Sequence, residues 1–405
     1  MPFRIALSGL NAAQSDLNVT ANNVANVGTT GFKGSRSEFA DLFAVSLQGV
    51  STNSSGNGVR VANVAQQFAQ GNIEFTDSNL DLAISGQGFF ILSDGGALAY
   101  SRAGQFQVDR DGYVVNSQQQ RLQVYPPVDG GGFNTGGLGD LRLSTGESPP
   151  SATSLVEFFL NLPASATPPT NAPFNPADPQ SYTNATSLTL YDSLGAAHTG
   201  TLYFEKTANL NEWTARLYID GNAVGAAQTL QYSNTGQLTS PVNGLLPFPA
   251  YTPATGAAPM TVSVDLQQST QFGANFGVNS VTQNGYTTGR LIGIDIDETG
   301  VVQARFTNGR AQPLGQVAIA NFANAQGLQQ LGNTQWAETF ASGQALRGQA
   351  GNSGFGLVQS GALETSNVDI TEELVKMITS QRNFQANAQM ISTADSITQT
   401  IINIR

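Results

Sequence analysis

Cysteine is absent from the 405 residues and histidine occurs once. Disulfides and thiol catalysis are therefore excluded, and any imidazole chemistry has to be built on His198. Charge is scarce, with Asp, Glu, Lys and Arg making up 11% of the chain, against ~25% in a typical soluble domain. The balance is acidic, 28 Asp and Glu against 17 Lys and Arg. No Lys/Arg cluster occurs, so neither nucleic acid nor anionic lipid is an expected partner. No apolar run approaches the ~20 residues that span a bilayer, so no membrane insertion is expected. Met1-Pro2-Phe3-Arg4-Ile5-Ala6-Leu7 carries no apolar core followed by a cleavage site, and a cleaved signal peptide is not expected.

What fills the space is glycine, 44 residues of it, with many small polar residues; apolar residues at 40% are enough for real cores. At ~100–200 residues per domain the length predicts two to four domains. Such a composition suits β-structure rich in turns, or surfaces meant to be covered by neighbours.

The two ends read as helix. Phe3, Leu7, Leu10, Gln14, Leu17, Ala21 and Val24 recur at alternating steps of four and three, a heptad seam with one polar position. Pro2 suits a first turn, and Gly28 after Val27 is a stop. Ile370, Leu374, Met377, Gln381, Phe384, Ala388, Ile391, Asp395, Thr398 and Ile402 keep the same rhythm at the other end. Asp369 and Glu372 have the spacing of a capping box. Ile378, Ile397 and Ile401 add a second apolar stripe, more than one partner helix requires. Pairing of the ends is antiparallel by chain direction, and surrounding copies are expected to complete the folding of both helices, since short isolated helices are marginal. Gln14, Gln381 and Asp395 interrupt the seams, as register-setting polar residues do.

Between the ends the period changes to two. Phe89–Leu92, Phe106–Val108 and Tyr113–Val115 read as short strands, with hairpin turns at Asp109-Arg110-Asp111-Gly112 and Asn308-Gly309. Residues 146–184 hold eight prolines, and strands are predicted again at Ser187–Tyr191, Thr201–Glu205, Trp213–Ile219 and Thr261–Leu266. The expected fold class is α+β and multidomain: an antiparallel terminal coiled coil plus mainly-β domains, one inserted in the other. The expected parts are a helical domain (1–33 with 361–405), an extended polar connector (34–70), a β-rich domain (71–145 with 285–360) and an inserted β-domain (146–284).

Candidate chemistry is thin. Asp295, Asp297, Glu298 and Gly300, and more faintly Asp109, Asp111 and Gly112, imitate a calcium loop, but strands flank both and turn chemistry explains them. Gly86-Gln87-Gly88 lacks the third glycine and the helix of a dinucleotide fingerprint. His198 reads as part of a turn between strands, with no Gly-x-Ser-x-Gly elbow nearby. No enzymatic activity, catalytic residue, metal or cofactor is expected.

Three blocks carry a resemblance. The first is Ala21-Asn22-Asn23-Val24-Ala25-Asn26 with Thr30-Gly31-Phe32-Lys33. The second is Asn79-Leu80-Asp81-Leu82-Ala83-Ile84-Ser85-Gly86-Gln87-Gly88-Phe89-Phe90 with Tyr100-Ser101-Arg102-Ala103-Gly104. The third runs from Ser360-Gly361-Ala362-Leu363-Glu364-Thr365-Ser366-Asn367-Val368-Asp369 to Ser380-Gln381-Arg382-Asn383-Phe384-Gln385-Ala386-Asn387. In this order at both ends they resemble the rod and hook family of flagellar axial proteins. Tyr191-Asp192-Ser193-Leu194-Gly195 with His198, Trp213 and Asp220-Gly221 is similar to the inserted domain of the family's hook branch. The rod branch, a distal rod protein in particular, is the alternative; a glycan-binding β-protein on a trimerisation stalk is the alternative from another class.

The resemblance implies a homo-oligomer, a flexible helical tube of many copies at the bacterial flagellum that links rod to filament and transmits torque. It implies extracellular assembly after export through the flagellar type III apparatus. The implied partners are the distal rod protein, a hook cap protein, hook–filament junction proteins and a hook-length control protein. Paired helices over 3–27 and 369–405 would line the channel, with the inserted domain outside. Phe3, Leu7, Leu10, Leu17, Val24, Leu374, Met377, Phe384, Ile391 and Ile402 are then the assembly seam. Asn22, Asn23 and Asn26 are expected to reach neighbouring subunits, Gly31 to supply a positive φ, and Phe32 to anchor the connector. Lys33, Gln381, Arg382 and Asn383 complete the motif residues.

Overall fold

Helix α1 spans Pro2–Ala25 and α2 spans Ile370–Asn403; among the described residues, what lies between them is strand, turn and loop, apart from two single turns of 3-10 helix. The computed structural model describes residues 2–42, 56–128, 130–143 and 146–403. The end of the predicted second helix at 404–405 and the polar run 51–55 lie outside the described residues. Gly28 is not the immediate stop of α1, which gives way two residues earlier to a turn where Asn26 N–H bonds Asn22 O.

Two units form. The first holds residues 1–145, 293–305 and 311–405, the second 146–292 and 306–310. The helices do not stand apart as a domain of their own, because they belong to the first unit with its sheets. The return to that unit comes at 292/293, later than the expected 284/285, and the Asn308-Gly309 turn joins the second unit.

Among the described residues, 34–42 and 56–70 are not an extended connector. Ser35–Asp41 pairs antiparallel with Val59–Gln66, with a bulge between Glu38 and Phe39. The described residues on either side of 43–55 form a hairpin whose half-exposed strands alternate weakly. This hairpin packs on α1, where Ser8 Oγ accepts from Val59 N–H at 3.2 Å.

In the first unit a sheet is organised around the long strand Ala311–Asn321, which pairs with Val301–Phe306, Arg121–Tyr125, Phe89–Asp94 and Leu346–Gln349. Alternate side chains enter different cores. Phe90, Leu92, Val317 and Ile319 lie in one cluster, and Phe89, Ile91, Ala318 and Ala320 in another with Tyr100 and Trp336. The uninterrupted Phe89-Phe90-Ile91-Leu92 run is thus the mark of a strand covered on both faces.

The second unit is a two-sheet sandwich. One sheet is an antiparallel meander through Asn184–Tyr191, Ala197–Lys206, Glu212–Ile219, Gln228–Tyr232 and Leu238–Ser240. The other is built on Leu155–Pro163, parallel to Ser263–Asp265 and Thr270–Phe272 and antiparallel to Gly277–Gln283. Leu202, Phe204, Trp213 and Ile219 from the first meet Val156, Phe158, Leu160 and Leu162 from the second.

Candidate assembly site at the paired termini

The helices run antiparallel, with Asn23 opposite Glu373, Asp16 opposite Ser380 and Gly9 opposite Asn387. Each step is seven residues on both chains, so the pair keeps a heptad register. The contact line itself is small and polar. Asn23 Nδ2 donates to Glu373 Oε2 at 3.2 Å, Ser380 Oγ donates to Asp16 Oδ2, and Gly9 packs against the Asn387 side chain. Ala6, Ala12, Ala13, Thr20 and Asn23 are the buried positions of α1.

The expected seam is therefore corrected. Phe3 and Leu7 are exposed, and Leu10, Leu17 and Val24 are half-buried. By the 3.6-residue repeat Leu10, Leu17 and Val24 lie about 100° round α1 from Gly9, Asp16 and Asn23 and flank the contact line, while Phe3 and Leu7 turn further away from it. On α2, Met377, Phe384 and Ile391 do share the heptad face with Glu373, Ser380 and Asn387 and are half-buried. Leu374 and Ile402 are not: they are 45% and 66% exposed. Val375 and Ile378 lie on the outward side with Leu374, and Met390 and Ile397 flank the pair on the other edge. Periodicity located the apolar stripes, but small residues let the backbones approach closely and took the contact with the partner helix. Phe3, Met390, Thr393, Ala394 and Ile397 line an open groove of about 500 Å³.

Asp369 caps α2, its Oδ1 accepting from Thr371 N–H at 2.7 Å and Glu372 N–H at 3.1 Å. The reciprocal half of a capping box is not made, because Glu372 turns to Lys376 at 2.8 Å. Its backbone hydrogen bonds from Glu372 and Thr371 hold the Asp369 carboxyl below the ordinary carboxylate value.

Below the helix pair the three motif blocks meet at one buried charge cluster. Glu364 has no solvent exposure and receives Lys33 Nζ on Oε1 at 2.5 Å and Arg102 Nη1 on Oε2 at 3.1 Å. Gly71 N–H adds a bond to Oε1 at 2.9 Å, and Lys33 also donates to Ala69 O at 2.8 Å. Arg102 Nη2 donates to Gly86 O at 2.8 Å, its guanidinium facing Phe89. Burial pushes the pKa of Lys33 and of Arg102 down, and Glu364 opposes both shifts. The cluster ties the exit of α1, the central sheet and the approach to α2 into one piece.

Gly31 has φ +68°, and a Cβ there would stand 2.5 Å from Ala103 N. Asn23 does not reach outward: its amide donates to Ser35 O and Glu373, and its carbonyl accepts from Ser35 N–H at 2.9 Å. Asn26 donates back to Asn22 within the last turn. Phe32 is half-buried beside that turn, and Gln381, Arg382 and Asn383 are exposed on α2.

Within the motif blocks Arg102 and Glu364 carry no local mark of their role, and Glu373 lies outside the blocks. The available signal was scarcity: in a chain with so little charge, Lys33, Arg102 and Glu364 each interrupt runs of small and apolar residues.

His198 is not in a turn. It sits on the strand Ala197–Lys206, where alternation points it inward with Leu202 and Phe204. Both ring nitrogens face carboxylates, Asp220 and Asp192, an arrangement that leaves neither nitrogen free for a serine. Asp297 and Asp109 bond the N–H groups of their own turns, at Val301 and Tyr113 among others.

Four family models match the chain: the flagella basal body rod protein at residues 3–33, the flagellar hook protein FlgE/F/G D1 domain at 83–156, the flagellar basal body protein FlaE D2 domain at 161–286, and the flagellar basal body rod FlgEFG protein C-terminal at 359–404. The flagellar hook protein FlgE of Escherichia coli K12 is 40% identical, with all of both chains covered. That of Borreliella burgdorferi is 35% identical over 98% of each. Among solved structures, the Helicobacter pylori flagellar hook protein FlgE2 shares the fold with a TM-score of 0.54 at 14% identity, over 72% of this chain and 100% of that one.

Proposed function

The chain belongs to the flagellar hook protein family, and from that membership we propose that its exposed helical stripes are the surfaces on which the hook polymerises. It is a structural subunit of the bacterial flagellar hook, an axial component that assembles into a polymer, and not the distal rod protein.

The observation that carries the proposal is the division of labour on the terminal helices. Their mutual contact consumes Gly9, Asp16, Asn23, Glu373, Ser380 and Asn387, while Phe3, Leu7, Leu374, Val375, Ile378, Met390 and Ile397 stay exposed. Exposed apolar stripes of this kind mark an interaction site. Neighbouring copies cover it, and the helices line the tube.

In the tube the second unit lies outside, where contacts lengthen and shorten as the hook bends in rotation. Sparse charge favours such sliding, since few ion pairs break with each turn. Export through the type III apparatus without a cleaved signal belongs to the same reading. So do the distal rod protein below, the cap and length-control proteins during growth, and the junction proteins above.

The test is electron microscopy of full-length chain driven to polymerise by a kosmotropic salt, beside a variant carrying Leu374→Gln, Ile378→Gln and Ile397→Gln. The original sequence forms tubes and the variant stays soluble with unchanged circular dichroism. Equal tubes from both would remove the stripes from the assembly role.

A further inference from the structure

The single histidine of the chain lies at the meeting point of three segments of the second unit. His198 Nδ1 is 2.6 Å from Asp220 Oδ2, in the turn after Glu212–Ile219, and Nε2 is 3.2 Å from Asp192 Oδ2, in the turn after Asn184–Tyr191. Asp192 is fully buried. Its Oδ1 accepts from Leu194 and Ala196 N–H at 2.9 Å each, and its Oδ2 accepts from Thr255 Oγ1 at 2.7 Å. Asp220 Oδ1 accepts from Thr199 N–H at 2.9 Å. Tyr251 stands edge-on to the imidazole at 6.3 Å, so loop 251–258 reaches the cluster at both ends, through the Tyr251 ring and Thr255 Oγ1. Ala258 N–H on Ser193 Oγ at 2.9 Å is its neighbouring tie.

A neutral imidazole donates through one nitrogen only, whereas both nitrogens here face carboxylate oxygens. Only the imidazolium satisfies both. The groups facing it are the carboxylates of Asp192 and Asp220 and the ring of Tyr251, from all three segments.

We propose that Asp192, His198 and Asp220 form a proton-dependent clasp that fixes loop 251–258 onto the two turns, closed while the imidazole carries both protons and loosened when one leaves. Loss of the proton sets a nitrogen lone pair against a carboxylate, and for Asp192 this happens where water does not reach.

Burial opposes the charge on His198, but Asp220 and Asp192 outweigh it and raise its pKa above 6.5. Burial likewise opposes the charge on Asp192, yet Thr255, His198 and two backbone N–H groups bring its pKa down to about 2. Asp220 is also lowered, by His198 and the Thr199 N–H against the effect of burial. A raised imidazole stabilises fully below the unfolded value of 6.5 and ceases to as pH rises through the folded value. The lowered carboxylates stabilise above 3.8 and cease to as pH falls through their folded values. The clasp is thus closed across a window and opens on both sides of it.

One histidine means one imidazole signal pair in ¹⁵N-histidine-labelled full-length chain. Below pH 6.5 both nitrogens should show imidazolium shifts, with a midpoint above 6.5. Hydrogen-exchange protection of residues 251–258, corrected for intrinsic rates, should be lost through the same midpoint. Asp220→Asn should lower that midpoint, and His198→Gln should leave 251–258 unprotected at every pH. A midpoint at or below 6.5, or protection that ignores the midpoint, overturns the clasp. The titration of the unmodified chain decides even where a variant fails to fold.

Discussion

Glu364 meets Lys33 at 2.5 Å across 331 positions of sequence, and neither side chain has any solvent exposure. Arg102 shares the same carboxylate, so a single anion is divided between two cations drawn from two other segments and offsets only one of their charges. Desolvating three charges is costly, and the arrangement holds because each has further hydrogen-bond partners in backbone carbonyl or amide groups.

Removing the anion alone strands both cations. Glu364→Ala should destabilise the first unit by about 3–5 kcal/mol, the usual result of breaking a buried pair. Chemical denaturation of the full chain measures this. Lys33→Met combined with Glu364→Gln, which leaves Arg102 an uncharged acceptor, should recover part of the loss. A single-variant loss below about 1 kcal/mol would show that the cluster is not buried in solution.

Gly31 tests the same junction through its backbone. Its φ of +68° and the 2.5 Å approach of a Cβ to Ala103 N leave no place for a side chain. Gly31→Ala should cost at least the ~1–2 kcal/mol of a left-handed non-glycine residue. Thermal unfolding would report it, and an unchanged midpoint would contradict the close approach.

Gly9 governs the distance between the helices. Its missing Cβ faces the Asn387 amide at 2.5 Å, the end of a side chain able to swing away. Gly9→Ala should therefore be near neutral, since the helical gain of ~0.8–1 kcal/mol offsets the displaced amide. Gly9→Leu should push the helices apart at a cost of about 1–3 kcal/mol. Hydrogen exchange in residues 383–391 distinguishes the two variants.

Asp369 makes the start of α2 sensitive to acid. Its pKa is lowered by the N–H groups of Glu372 and Thr371, so its contribution is present above 3.8 and disappears as pH falls through the lowered value. Exchange at 370–374 should rise over that range in the original chain. Asp369→Asn keeps an oxygen acceptor for the cap, and its exchange should stay flat. A parallel rise in both would assign the effect to other carboxylates.

The helical ends were legible because a heptad rhythm survives at Phe3 to Val24 and Ile370 to Ile402. The strand at Phe89–Asp94 was legible for a different reason, its apolar run covered on both faces. The hairpin within 34–70 was not, because half-exposed strands carry little alternation. Asn23 was misplaced for a related reason: an amide in a polar stripe looks the same whether it faces solvent, a neighbour or Glu373.

Composition and local period alone determined that no disulfide or thiol chemistry operates, that helices close both ends, and that strands fill the interior. Those properties depend on residues close in the chain. Tertiary structure alone decided which stripe of each helix faces its partner and that Lys33, Arg102 and Glu364 share one dry site. It also decided that His198 stands between two carboxylates. Each is a meeting of side chains from separate segments, and the energy of burying a charge or a small polar residue exists only once the opposing surface is in place.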